Sequence, residues 1–322
     1  HHHHHHYLHH SSTTAITLDT LASNITVTED STTDRHVRSF YENDGRLQST
    51  LDAEGYLTEN QYDSAGELTH TIRYAKASTS TTRLTDSFSA TKTNIINQSS
   101  ATQGVDPNDQ HSYLFYNAKG QVTGLLDAEN YLTEYQYDLN GNRTQETRYN
   151  TKAIAYTGTQ TLTQLRPAAN SNDHVTLTAY NGANQVTSVT TNPQGIVTQY
   201  SYDSVGNLTQ ATSAANTTDV RTTRARYDVR GNLTGELTGE GSVALDALIN
   251  PIQLQIDNIW AQYGLTHAYD NANRRISTTD PNAYKTLFFY DNANRLSYTV
   301  NALGEVSQSA YNALGQLIDT TR

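Results

Sequence analysis

One short pattern recurs along this chain and leaves few folds open to it: Tyr, then Asp or Asn, two variable residues, then Gly or Asn. It begins at Tyr41, Tyr62, Tyr116, Tyr137, Tyr180, Tyr202, Tyr227, Tyr269, Tyr290 and Tyr311. A second set of units lacks the Tyr and falls between the first: LDAEG from Leu51, LDAEN from Leu126, TNPQG from Thr191, LTGEG from Leu237, TDPNA from Thr279 and VNALG from Val300. In the regular stretches Tyr recurs every 21 residues, with two units per period. A period of this size marks one supersecondary unit used many times.

The variation inside the unit identifies it. Its fifth position is Gly in eleven of sixteen cases, including Gly45, Gly66, Gly120, Gly141, Gly206, Gly231 and Gly315. It is Asn at Asn130, Asn184, Asn273 and Asn294, and Ala at Ala283. Gly and Asn share a tolerance for positive φ. The second position is Asp or Asn in fourteen units, among them Asp63, Asp138, Asp203, Asp228, Asp270 and Asp291, with Glu42 and Thr238 the exceptions. Asx at the first position of a type I turn accepts a hydrogen bond from the backbone two residues on. The unit is therefore a type I turn closed by a left-handed residue, a hairpin with a one-residue bulge. That geometry sets each Tyr opposite the residue two beyond the Gly or Asn. The partner is Leu or Val in eight of the ten Tyr units and Arg143 or Arg275 in the other two. Turns every ten or eleven residues leave strands of about six, the usual length. The segments between them, such as LTENQYD and IVTQYSYD, alternate and are rich in Thr, Tyr and Val. The expected fold is all-β, a long antiparallel ribbon of hairpins.

Three stretches interrupt the rhythm: 74–110, 149–173 and about 245–263. The openings of the first two match (RYAKA, RYNTKA), so each reads as a lengthened hairpin excursion with room for a short helix. The third contains NPIQLQIDNIWAQYG from Asn250, a short helix over 250–263. Asn250 is the expected cap, Pro251 suits the first turn and Gln253 completes a capping-box pattern. Ile252, Ile256, Ile259, Trp260 and Tyr263 form the stripe that should lie on the sheet.

Composition narrows the function classes. With Tyr set aside and Gly counted, apolar residues make up about 34% of the 322-residue chain, against roughly 45–50% for ordinary globular domains. A thick aliphatic core is not expected. The net charge of −11 argues against nucleic acid as a partner, and no run of eighteen apolar residues calls for membrane insertion. There is no Cys, which removes thiolate chemistry, and no Met, which places the native start outside this sequence. The opening HHHHHHYLHH reads as a purification tag and linker, so residues 1–10 are set apart and the chain reads as a fragment of a longer one.

No motif carries chemistry, so the expected catalytic, cofactor and metal residues are none. A calcium site needs six to eight converging oxygens, whereas each turn offers one Asx already engaged in its own turn. The Tyr rows suggest packing across hairpins more than glycan or base stacking. His36, His70, His111, His174 and His267, the histidines beyond the tag, show no metal-ligand spacing. Asp173 precedes His174, but no nucleophile motif accompanies them. GELTGEGS has the glycines of a phosphate loop without a following Lys or an expected helix. The sequons at Asn24, Asn97, Asn142, Asn207, Asn216 and Asn232 matter only in a secreted eukaryotic protein, and two of them arise from the repeat itself.

The segments QYDSAGELTHTIRY, YQYDLNGNRTQETRY, YSYDSVGNLTQ, ARYDVRGNLTGE, YDNANRLSY and YNALGQL resemble the YD-repeat, or Rhs-repeat, family over most of the chain from about Phe40. The resemblance implies a hairpin ribbon that spirals into the wall of a partial or complete hollow shell. Family members include bacterial Rhs toxins, C components of Tc toxin complexes, wall-associated bacterial toxins and teneurins. In the toxins the shell encloses a C-terminal effector. The layout it implies is lead-in strands over 11–39 and a repeat domain over 40–322. The family's self-cleaving Asp-Pro segment is not recognisable. The two Asp-Pro pairs, Asp106-Pro107 and Asp280-Pro281, lie in an excursion and in a turn, so cleavage is not carried over.

The resulting expectation is a structural, non-catalytic segment of a secreted bacterial protein. Its partners would be the rest of its parent chain, including an effector, and other copies through open β edges. A cell-surface adhesion or glycan-binding module is the alternative.

Overall fold

The computed structural model describes residues 15–16, 25–30, 35–99 and 106–322. The tag reading and the Asn24 sequon lie outside them, as do the side chains before Val37, His36 included. The chain divides into two compact units, residues 1–137 with 145–174, and 138–144 with 175–322.

In each unit successive strands pair antiparallel with their chain neighbours, a meander without crossovers. The first unit runs through strands Ile25–Asp30, Arg35–Tyr41, Leu47–Leu51, Leu57–Tyr62, Leu68–Arg73, Gln110–Tyr116, Val122–Leu126 and Leu132–Tyr137. The second runs from His174–Tyr180 to Leu317–Thr321 in the same way. Register agrees with the turn argument wherever a Tyr hairpin is paired: Tyr41 with Leu47, Tyr62 with Leu68, Tyr202 with Leu208 and Tyr290 with Leu296, each at a bulge. Among the described residues no helix is long and apolar enough to cross a membrane.

Among the described residues four helices depart from the ribbon: α1 (Phe88–Ile96), α2 (Leu162–Leu165), α3 (Gly239–Asp246) and α4 (Gln253–Tyr263). The core lies where they cover the sheet. Under α1, Ile95 joins Phe40, Leu51, Leu57, Ile72 and Tyr74. Under α2, Leu165 joins Leu126 and Leu132, with Leu162 and Tyr156 at the margin. In the second unit Leu237 and Trp260 are the buried apolar side chains by α3 and α4, so each patch is small, in keeping with a chain poor in aliphatics. Small strand residues make room for the helices. A Cβ on Gly124 would come within 2.6 Å of Leu162, and one on Gly235 within 3.1 Å of Trp260.

Three local expectations need correction. The cap of α4 is Ile252, not Asn250; its backbone N–H donates to Gln255 Oε1 at 3.0 Å, and Gln253 takes no part in the cap. Asn250 instead takes positive φ (42°), which no N-cap residue adopts. Ile252 is exposed, while Trp260 is buried against the sheet. LTGEG is not a hairpin turn: Thr238 starts α3, and Gly241 packs inside it. TNPQG does reverse the chain, but Thr191 pairs with Ile196 across a loop holding a cis Asn192-Pro193 bond and Gly195 at φ 68°.

Candidate functional site

The repeated turn is the unit from which any function must be built. In fourteen of the sixteen units the Asx or Glu N–H donates to the carbonyl four residues on, and the fifth-position N–H donates back to the Asx or Glu carbonyl. The fifth residue has positive φ in every one, from 61° at Asn184 to 93° at Gly55 and Gly206. Asp52 shows the side-chain part. Its Oδ1 accepts from the N–H of Glu54 at 3.0 Å and of Tyr56 at 2.9 Å. The second of these bonds was not anticipated from sequence. Such bonds depress the carboxyl pKa of Asp203, Asp228, Asp270 and Asp291, the largest cause being the backbone N–H four residues on.

The second side-chain atom of the Asx is matched as well. In five of the nine Asp turns the residue four on is a donor: Asn142, Asn207 and Asn232 donate Nδ2 to Asp138, Asp203 and Asp228, and Arg274 and Arg295 donate Nε to Asp270 and Asp291. Where the turn has Asn, that residue is an acceptor. Asn117, Asn181, Asn301 and Asn312 donate Nδ2 to Gln121, Gln185, Glu305 and Gln316. The pairing is visible in the sequence once the two positions are read together.

The tyrosines form a ladder that the hairpin register alone does not reveal. The Tyr62 hydroxyl donates to Leu47 O, Tyr116 to Leu68 O and Tyr137 to Val122 O, at 2.6–2.7 Å. In the second unit Tyr180, Tyr202, Tyr227, Tyr269, Tyr290 and Tyr311 donate to the carbonyls of Arg143, Val186, Leu208, Leu233, Arg275 and Leu296, at 2.6–2.8 Å. Each acceptor is the residue two beyond the Gly or Asn of the previous Tyr unit. Its carbonyl lies past the end of the ladder with the next strand: the backbone register there stops at Ser49 and Glu59, and Leu47 O accepts from side chains instead, the Tyr62 hydroxyl and, at 3.3 Å, Asn60 Nδ2. The hydroxyl supplies the missing donor. Arg46, Arg274 and Arg295 lay their guanidinium groups over the rings of Tyr62, Tyr290 and Tyr311 at 4.8–5.1 Å.

Titratable side chains meet at four other places. His70 and His111, distant in sequence, touch across adjacent strands with Nε2 and Nδ1 2.8 Å apart. His70 Nδ1 lies 3.0 Å from Gln61 Oε1 on the other side of the ring. Burial, then His111, lowers its pKa to about 4. The Glu59 carboxylate binds the Tyr74 hydroxyl at 2.6 Å and Lys92 of α1 at 3.0 Å. Glu134 repeats this with Tyr149 and Arg166 just past α2. Burial and Glu134 push Tyr149 up to about 12. His267 bridges Glu236 and Thr278, each at 2.8 Å. Among the described residues no three His, Asp or Glu lie where they could hold a metal ion. His174 borders a cleft of about 320 Å³ with Arg148 and Tyr131. Asp173 does not orient it: its oxygens accept from the N–H groups of Asn150 and Asn170, closing the excursion. The first excursion closes through Asp109 and Ala75 N–H.

The RHS Repeat family model matches residues 116–151 and 180–218. The solved structure titled "Crystal Structure of TcdB2-TccC3-TEV" aligns with 91% of this chain at 14% identity and a TM-score of 0.55, and the TcdB2-TccC3-Cdc42 structure does so equally. The structure of TcdB2-TccC3 without its hypervariable C-terminal region gives 0.52 at 14% identity. The chain spans 13–15% of the length of those chains. At that identity the likeness is one of fold. No curated protein matches the chain. With two stretches matched as RHS repeats and one turn carried through fourteen units, the chain is similar to YD/Rhs-repeat proteins in its repeats and to the TcdB2-TccC3 structures in its fold.

Proposed function

We propose that the chain is a wall segment: a length of hairpin ribbon in the β-shell of a secreted bacterial Rhs-type protein, enclosing or presenting an effector domain of its parent chain. The observation that carries this is the tyrosine ladder. Nine repeat tyrosines spend their hydroxyls on backbone carbonyls of the preceding hairpin. A ribbon whose most distinctive side chains hold hairpin to hairpin is built to extend, not to react. The shared fold with the TcdB2-TccC3 structures supports the same reading. On it, the chain contributes containment and no catalysis of its own.

The adhesion reading loses its main support, because tyrosines committed to the ladder are not a free stacking platform. The test is limited proteolysis of the parent chain. A domain encoded downstream should resist cleavage while joined to the shell and be cut at least ten times faster when produced alone. Equal rates, or a parent with no further domain, would overturn the proposal.

A further inference from the structure

The amino end of α3 presents donors that nothing in the shell reading uses. Its first intrahelical bond runs from Ser242 N–H to Thr238 O, at 2.9 Å. The N–H groups of Gly239, Glu240 and Gly241 precede that bond and point out of the helix end. The Thr238 side chain makes no capping bond to them. Such an end carries about half a positive charge and is suited to anions.

A second observation points independently to a ligand. The Ser242 side chain is only 1% exposed, yet its Oγ has no hydrogen-bond partner among the described residues. Buried hydroxyls are almost always paired. Ser242 lines a cleft of about 590 Å³ together with Gly239, Arg221 and Thr222. The two glycines differ. A Cβ on Gly241 would strike Leu237 and Tyr263, so packing accounts for it. A Cβ on Gly239 would meet nothing within 4 Å, so packing does not. What glycine does at 239 is leave a backbone donor bare at the edge of the cleft. GELTGEGS thus has the helix that the sequence reading denied it, though still no Lys.

Local charge selects the anion. Arg221 is the one cation among the lining residues. Neighbouring Arg224 is held by Asp246 at 2.7 Å. Glu240, in the first turn, is exposed and negative. Asp246 also lines the cleft but is paired with Arg224, so Arg221 and the helix end face the carboxylate of Glu240, an arrangement that suits a single negative charge better than two. We propose that this cleft binds a carboxylate, held by the N–H groups of residues 239–241, Ser242 Oγ and Arg221. The inference is independent of the shell reading.

Amide NMR of the 322-residue chain tests it, with three probes: sodium acetate, the blocked peptide acetyl-Gly-Glu-Gly-amide and inorganic phosphate. The two carboxylates should shift the amides of Gly239, Glu240 and Gly241 saturably, and phosphate should bind more weakly than acetate. A peptide that binds more tightly than acetate makes the natural ligand an acidic protein segment; the reverse order makes it a small acid. Ser242→Ala removes a hydroxyl that has no partner, so it leaves no group orphaned and should fold. It should weaken acetate at least ten-fold. Gly239→Ala, whose methyl enters open space beside the donors, should weaken it too. No saturable shift, unchanged affinity in Ser242→Ala, or phosphate binding best would overturn the proposal.

Discussion

The Tyr62 hydroxyl donates to the carbonyl of Leu47 at 2.7 Å, and Leu47 is the residue paired with Tyr41 across the preceding turn. One hairpin's Tyr thus fastens the far side of the hairpin before it, and the Arg46 guanidinium above the same ring adds a second link. The repeat is conserved in kind along the chain because each copy completes its neighbour.

Replacing Tyr62 by Phe keeps the ring under Arg46 and removes only the donor. The Leu47 carbonyl then keeps only the longer bond from Asn60 Nδ2, at 3.3 Å, at a cost of about 1 kcal/mol. Amide exchange in Leu47–Leu51 and Leu57–Tyr62 should quicken about five-fold, with the remote strand Val306–Tyr311 unchanged. Unaltered exchange in both strands would show that the hydroxyl contributes nothing.

Positive φ sets a second expectation. Ala283 stands at φ 65° where most units have Gly. A left-handed conformation costs an L-residue roughly 1–2 kcal/mol, so Ala283→Gly should stabilise the turn by about 1 kcal/mol. Asn294→Ala, at φ 62°, should destabilise its turn by a similar amount. Urea unfolding followed by the two local amide sets reads both, and a loss in Ala283→Gly would contradict the turn assignment.

Glu134 joins Tyr149 of the sheet to Arg166 just past α2. Glu134→Ala leaves both without the acceptor and should cost about 2 kcal/mol. The effect should appear as faster exchange and faster proteolysis across 153–166, with the ribbon strands intact. Glu59, which does the same for Tyr74 and Lys92 but is itself buried, should cost more on truncation to Ala. Equal insensitivity at both sites would remove the carboxylate from the account of how the excursions dock.

The turns and register could be read from the sequence because the repeat samples one position many times: Gly, Asn and a single Ala at the fifth position report φ directly. The tyrosine ladder could not, since its acceptors are backbone carbonyls, which leave no mark on residue identity. Contact between His70 and His111 depends on how an excursion of more than thirty residues returns, which local pattern does not fix. α3 was hidden because glycine is a poor helix former. It forms where Gly241 lets the helix close onto Leu237 and Tyr263.

His70 sets a pH dependence. Its folded pKa is lowered from 6.5 to about 4. A depressed folded value means the unfolded chain binds the proton first, so the contribution is present above pH 6.5 and is lost as pH falls toward 4. His70→Gln should flatten that part of the stability profile, while wild type declines across it. Below pH 4 the turn aspartates Asp203, Asp228, Asp270 and Asp291, also depressed, should give both proteins a further common loss. A His70→Gln profile still falling between pH 6.5 and 4 would assign the slope elsewhere.

One Asp turn sets an acidic residue four positions on. Asp63 is followed by Glu67, an acceptor set beside an acceptor, where Asp270 and Asp291 have Arg. Loss of water and the Asp63 carboxylate raise the Glu67 pKa. With the folded value raised, the contribution of Glu67 is best at low pH and falls away as it ionises, so at neutral pH the side chain works against its own turn. Glu67→Arg should restore the match, place a guanidinium over Tyr116 as Arg46 lies over Tyr62, and raise the melting temperature at pH 7. Glu67→Gln should give a smaller rise, since it removes the repulsion without adding a cation. At pH 3, where Glu67 with its raised pKa is protonated, the advantage of Glu67→Gln should vanish. A lower melting temperature for Glu67→Arg at pH 7 would mean that the pairing seen in the other turns is not what stabilises them.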